Sequence, residues 1–248
     1  MTCKNCGHSI EGNYCSHCGQ KANVKRIDLP YFLSEFSESF FQIDKGFFYS
    51  IKQLLVRPGT SIKEYLSGKR KKYFKPIAYV ITLSTLYFVA TEVTDQNTWI
   101  DDAITGFMNG VRGENEEATI PDVINWFSKN YGYTTLLLLP VFSLASYLSF
   151  YKFKANYLEH IVINSYVTGT QAIFYSVFVI FGTFIDAEIV EVIPFFLSVF
   201  YNFLVFWQTF SEENRLVNVF RTSIAYLLYS IFATIILVSI MALLKVEF

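Results

Sequence analysis

Five apolar runs, each close to the roughly twenty residues needed to cross about 30 Å of hydrocarbon, govern what this chain of 248 residues can become. They lie at about 76–93, 133–150, 161–185, 190–210 and 219–244. A soluble domain carries about a quarter charged residues, whereas this chain carries 17%, with 52% hydrophobic residues. The formal net charge of −1 averages two opposite regions. Residues 1–75 hold thirteen Lys and Arg against six acids, while 94–132 holds seven acids against Arg112 and Lys129. A bilayer imposes such segregation; a soluble globule has little reason for it.

Cations on the loops set orientation. The basic N-terminal region is expected inside, the acidic segment 94–132 outside, and the loop with Lys152 and Lys154 inside. The turn with Asp186, Glu188 and Glu191 is expected outside, the loop with Arg215 inside, and the C-terminal Lys245 and Glu247 outside. The first residues are polar and Cys-rich, without the cationic start and apolar core of a signal peptide. The N-terminal head is therefore expected to stay on the side where the protein is made.

That head contains all four cysteines, Cys3, Cys6, Cys15 and Cys18, spaced C-x2-C-x8-C-x2-C. Two thiolates three residues apart in a tight turn can reach one ion, and two such turns close a tetrahedral shell that suits Zn2+. Gly7 and Gly19 follow the second Cys of each pair, where the backbone must turn sharply. A segment this short cannot bury enough core to fold alone, so a structural zinc would supply its folding energy. The rival is a disulfide pair or redox dithiol, which an inside location disfavours. His8 and His17 are expected to face solvent or support the ligands. Four thiolates leave no open position for catalysis.

Residues 23–75 join the head (1–22) to the membrane domain (76–248). After a basic linker, Lys21 to Arg26, residues 28–56 show Leu29, Phe32, Leu33, Phe36 and Phe40 at helical spacing, with Glu35, Glu38 and Asp44 between them. Phe47, Phe48, Ile51, Leu54 and Leu55 form a second stripe. Such helices lie in the headgroup plane or pack on the protein's own core, and the sequence leaves both open. Arg57-Pro58-Gly59 punctuates the chain, and Thr60 or Ser61 is expected to cap a short helix through Leu66. The cations Arg57, Lys69, Arg70, Lys71, Lys72 and Lys75 then form a collar before the first span, suited to a bilayer with anionic lipids. With Tyr65, Tyr73 and Phe74 among them, nucleic acid is the rival ligand for this patch.

Inside the spans, Asn164, Thr168 and Gln171 share one helix face. Polar groups there either bond between helices or line a path for a solute. No H-E-x-x-H, P-loop or G-x-S-x-G occurs, so no catalytic residue is assigned and the chain is expected not to be an enzyme.

The segments CKNCGHSIEGNYCSHCGQ and RPGTSIKEYLSGKRKKYFKPIAYV, followed by several spans, resemble a family of bacterial membrane proteins of unknown function with an N-terminal zinc ribbon. The motif P-G-x-x-I-x-x-Y-x-x-G-K-R falls on Pro58, Gly59, Ile62, Tyr65, Gly68, Lys69 and Arg70. The resemblance implies a bacterial inner (plasma) membrane and a cytosolic ribbon, and it brings no activity. The expected fold is an all-α polytopic membrane protein with a minimal zinc ribbon and interfacial amphipathic helices. The expected role is an adaptor or regulator whose ribbon binds a protein or, less favoured, a nucleic acid. The alternative is a channel, pore or transport subunit, including a defence or stress effector, and a homo-oligomer fits either.

Overall fold

A computed structural model describes residues 1–37, 45–112, 122–185, 188–211 and 214–243. Glu38, Phe40 and Asp44 of the amphipathic stretch, and Lys245 and Glu247 of the tail, lie outside the described residues. The described chain forms α1 (Leu29–Ser37), α2 (Lys45–Val56), α3 (Pro58–Leu66), α4 (Pro76–Thr94), α5 (Trp99–Arg112) and α6 (Asp122–Lys129). There follow α7 (Tyr131–Ser149), α8 (Tyr157–Gly182), α9 (Glu188–Thr209) and α10 (Arg215–Leu243). Among the described residues there is no strand beyond two isolated bridges in the head. Five helices, α4, α7, α8, α9 and α10, are long and apolar enough to cross a membrane. The chain is a multi-pass membrane protein.

The central pair is α4 and α8. Gly169 lets them approach: a Cβ there would stand 2.6 Å from the Tyr79 ring. The Tyr79 and Thr170 hydroxyls lie 3.1 Å apart, and the Tyr166 hydroxyl donates to the Phe74 carbonyl at 2.7 Å. In hydrocarbon such bonds replace those that water would make. α7 packs on both, α9 packs on α8, and α10 packs on α7 and α9. The outermost is α10, with only 11% of its most apolar window buried.

The N-terminal ends of α4 and α8 and the C-terminal end of α9 lie beside the segment that joins the head to the spans. Asn156 caps α8 in a reciprocal capping box with Glu159, which satisfies the first orphan amides of the helix. At the far end, Trp99 donates to the Tyr131 hydroxyl at 3.2 Å and stacks on Tyr175. Residues 94–132, the acidic segment between the first two spans, contain α5 and α6. The first buries Ile100 and Met108, and Met108 packs with Met241 of α10.

The two placements left open for residues 28–56 prove compatible. One face of α2 carries Phe47, Ser50 and Leu54 into the main core, while Phe48, Leu55 and Val56 are exposed on the other. Leu29 and Leu33 of α1 are exposed as well. α2 therefore packs on protein with one side and offers an apolar surface with the next. The cap expected at Thr60 or Ser61 is corrected. Pro58 opens α3 as its first residue, where its missing N–H costs nothing. The Ser61 hydroxyl donates instead to the Arg57 carbonyl at 2.9 Å.

Candidate metal centre and the surface that holds it

The head is two copies of one turn, twelve residues apart. The Cys3 N–H donates to the His8 carbonyl and the Gly7 N–H to the Cys3 carbonyl; Cys15–Gln20 and Gly19–Cys15 repeat both bonds. Ile10 to Met1 and Ala22 to Asn13 close the two turns identically. Gly7 and Gly19 have φ of 80° and 72°, a left-handed geometry that favours glycine. The repeat points all four sulfurs at one position: Cys3 and Cys18 Sγ are 3.6 Å apart, Cys6 and Cys15 Sγ 3.5 Å, and all lie within 4.8 Å of one another. A disulfide would need about 2.05 Å, and all four cysteines are free. Sulfurs on a tetrahedron about 2.3 Å from a central ion stand roughly 3.8 Å apart, so this cluster can hold a metal ion.

Electrostatics points the same way. The Cys6 N–H, joined by the Asn5 N–H and neighbouring sulfurs, outweighs burial and brings the Cys3 thiol down to about 7. Cys6 behaves oppositely. The His8 N–H favours its thiolate, but burial and the other three sulfurs push it up to about 12. A first thiolate forms readily and a further one is resisted, so four together need a cation among them. His8 and His17 lie outside this set of four, stacked 3.9 Å apart on the exposed side.

The head is also docked on the segment before the first span. The buried Gln20 side chain accepts from the Arg70 and Lys71 N–H groups at 3.1 and 3.2 Å. Gly68 has φ of 108°, and a Cβ there would meet Lys4 Cδ at 2.9 Å and Val24 Cγ1 at 3.3 Å. The glycine thus serves both a turn and a close approach. Arg70, only 9% exposed, donates to the Lys25 carbonyl at 2.9 Å and lies over the Tyr31 ring. The residues after the head are pinned in turn. Arg26 grips the Glu159 carboxylate at 2.8 and 2.6 Å and also bonds the Lys154 carbonyl. Asn156 donates to the Ile27 carbonyl at 2.9 Å, and Ile27 is buried in the main core. The basic linker is a strap across the end of α8.

Residues 44–88 match a protein family of unknown function, DUF3667. The matched stretch runs from α2 into α4 and excludes the cysteine head. No curated protein and no solved structure matches the chain.

Within the matched stretch, Glu64 gathers three of the six collar cations. Its carboxylate accepts from Lys72 at 2.6 Å and from the Tyr73 hydroxyl at 2.7 Å, with Lys69 at 3.6 Å and Arg57 at 4.0 Å. Burial alone would raise its pKa. The bonds from Lys72 and Tyr73 and the charges of Lys72 and Lys69 outweigh that and hold it at about 2. Burial, together with the bond to Glu64, pushes the Tyr73 hydroxyl well above its usual range. Arg70 is committed to the head, Lys75 occupies the N-cap position of α4, and the Lys71 side chain is exposed. The polar face of α8 also divides. Asn164 is buried and donates to Ser143 and Ser146 of α7, whereas Thr168 and Gln171 line a cavity of about 530 Å³. Glu64, Gln20 and Arg26 were not singled out from the sequence as site residues. A lone acid amid a basic cluster was the available signal for Glu64, and Gln20 gave none.

Proposed function

We propose that this chain is an adaptor or regulator of the bacterial inner membrane, with a zinc-folded head inside, its C-terminus outside and no catalytic role. The single observation that carries the reading is the head's fixed attitude. Arg70 and Gly68 hold one face, while His8, His17 and Tyr14 stay exposed on another. A tether that only retained a head at the membrane would not need these bonds. Four convergent thiolates favour zinc, and the charge asymmetry of the loops favours the head inside. The exposed imidazoles and phenol suit a protein partner, with nucleic acid second. Exposed apolar residues of α1 and α2, together with the exposed cation Lys71, suit anionic lipid.

The test compares partners cross-linked in membranes to wild type, to a His8→Ala/Tyr14→Ala/His17→Ala variant that keeps the cysteines, and to Cys15→Ser/Cys18→Ser. Partners lost in both variants support recruitment by the head. The same partners in all three sink it. A second reading, a transport subunit, is favoured by the cavity beside Thr168 and Gln171 and would require solute flux in liposomes.

A further inference from the structure

The cavity of about 530 Å³ is a half-open cleft lined by α7, α8, α9 and α10 together with Trp99 and Ile100. Its size falls within the roughly 300–1,000 Å³ of small-molecule sites. Its lining is aromatic and hydroxylic, and among the described residues no charged side chain faces it. A charged occupant would find no counter-ion there, which is costly at such a depth.

The polar groups at its centre are unevenly satisfied. Asn202 is 1% exposed; its amide nitrogen donates to the Tyr226 hydroxyl at 2.9 Å, and its Oδ1 has no partner. An acceptor buried this deeply is destabilising until a donor reaches it. Tyr226 accepts from Asn202 through its oxygen, so its own proton is available for an acceptor in the cavity. One group answers both needs, because a hydroxyl donates and accepts at once. The Gln171 amide nitrogen gives one hydrogen to the Ser198 carbonyl at 3.0 Å.

Access is from the side. Phe195, Ser223 and Ser230 line the cavity and are exposed along α9 and α10, between the helix ends. At that depth the neighbouring phase is lipid. We propose that this cavity binds a neutral, lipid-soluble molecule carrying a hydroxyl on an apolar skeleton, entering from the bilayer between α9 and α10. The hydroxyl sits between Asn202 Oδ1 and the Tyr226 hydroxyl, and the skeleton lies against Phe142 and Phe203, whose rings pack on Tyr226.

The full chain in lipid nanodiscs is photolysed with diazirine analogues of hexadecanol, hexadecanoic acid and hexadecane, and labelled peptides are mapped. The alcohol analogue is expected to label α9 and α10 around Asn202 and Tyr226 about tenfold more than the other two, the worth of one or two hydrogen bonds. Unlabelled hexadecanol should compete. Ser198→Phe fills the cavity and should remove the excess; Ser223→Phe, on the exposed flank, blocks the entrance and serves if the first variant fails to fold. Equal labelling by the three probes, stronger labelling by the acid, or an excess unchanged in a folded variant would overturn the proposal.

Discussion

The guanidinium carbon of Arg70 lies 4.2 Å from the centroid of the Tyr31 ring, and this contact ties the basic collar to α1. Arg70 meets the head through its backbone N–H to Gln20 and through its guanidinium to the Lys25 carbonyl. Behind it lie Tyr65, and beyond that Tyr166 of α8, whose ring stands edge-on to Tyr65 at 5.5 Å. A planar cation that stacks and donates in two directions cannot be replaced by an ammonium. Arg70→Lys is therefore expected to loosen the head nearly as much as Arg70→Ala. A charge-assisted bond is worth about 1.5–3 kcal/mol, so tryptic cleavage between residues 21 and 26 should accelerate by roughly ten- to a hundredfold. Cleavage at the wild-type rate in both variants would remove Arg70 from this role.

Gly59 belongs to the same end of the molecule but meets a different element. Its N–H donates to the Gln208 side chain at 3.0 Å, and an added Cβ would stand 2.7 Å from the Gln208 carbonyl carbon and the Thr209 nitrogen. Backbone cannot swing aside as a side chain can. Gly59→Ala should lower stability by about 1–3 kcal/mol, the usual cost of overpacking, read as a lower thermal midpoint in detergent. Gly132 in α7 is the control, with nothing within 4 Å of a built Cβ. Alanine there should be neutral or slightly stabilising.

These two glycines mark how far the sequence could be read. The five spans were legible because hydrophobic length is a one-dimensional signal, and the thiolate site because its ligands sit in two local turns. The bonds from Gln20 to Arg70 and from Arg26 to Glu159 join residues 50 and 133 positions apart, and no local pattern records such pairings. The basic collar shows the same limit, since the charges do not say that Glu64 sits among three of the cations. α5 carries a local signal, since Ile100, Ile104 and Met108 recur at helical spacing, while the acidic charge of the segment speaks only to its side of the membrane.

Glu64 gives the collar a defined pH response. Its carboxyl is held at about 2, below the usual 4.5. A depressed folded-state pKa contributes stability above the unfolded-state value, and that contribution is lost as pH falls through the folded-state value. Wild type should exceed Glu64→Gln in thermal midpoint by a constant margin above about pH 5, with the margin shrinking as pH falls from about 4.5 toward 2. Any metal lost from the cysteines in acid affects both proteins alike and cancels in the difference. A margin independent of pH across that window would mean that the carboxylate charge is not what holds Lys72 and Tyr73.

Metal removal separates the two parts of the molecule. The head's apolar packing is slight: Ile10 is its one buried apolar residue besides Cys3 and Cys15, with Ala22 half-buried beside them. That is too little to offset the ordering of some twenty residues at about 1–2 kcal/mol of backbone entropy each. The spans owe nothing to the sulfurs, because their core is continuous from Ile27 to Phe210 and is built on α2, α3, α4, α8 and α9. Chelation should therefore abolish amide exchange protection at Cys3, Gly7, Cys15 and Gly19, whose bonds define the two turns. Protection at Tyr79 and within α8 should remain. The strap is the discriminating region. Arg26 holds Glu159 and Asn156 holds Ile27 without help from the head, so the Asn156 and Glu159 amides beneath the strap, bonded in the capping box, should stay protected while the Arg70 N–H leaves Gln20 and exchanges. Loss of protection through the strap and into α8 would instead mean that metal binding is felt by the spans, and that the head governs the membrane domain as well as presenting a surface.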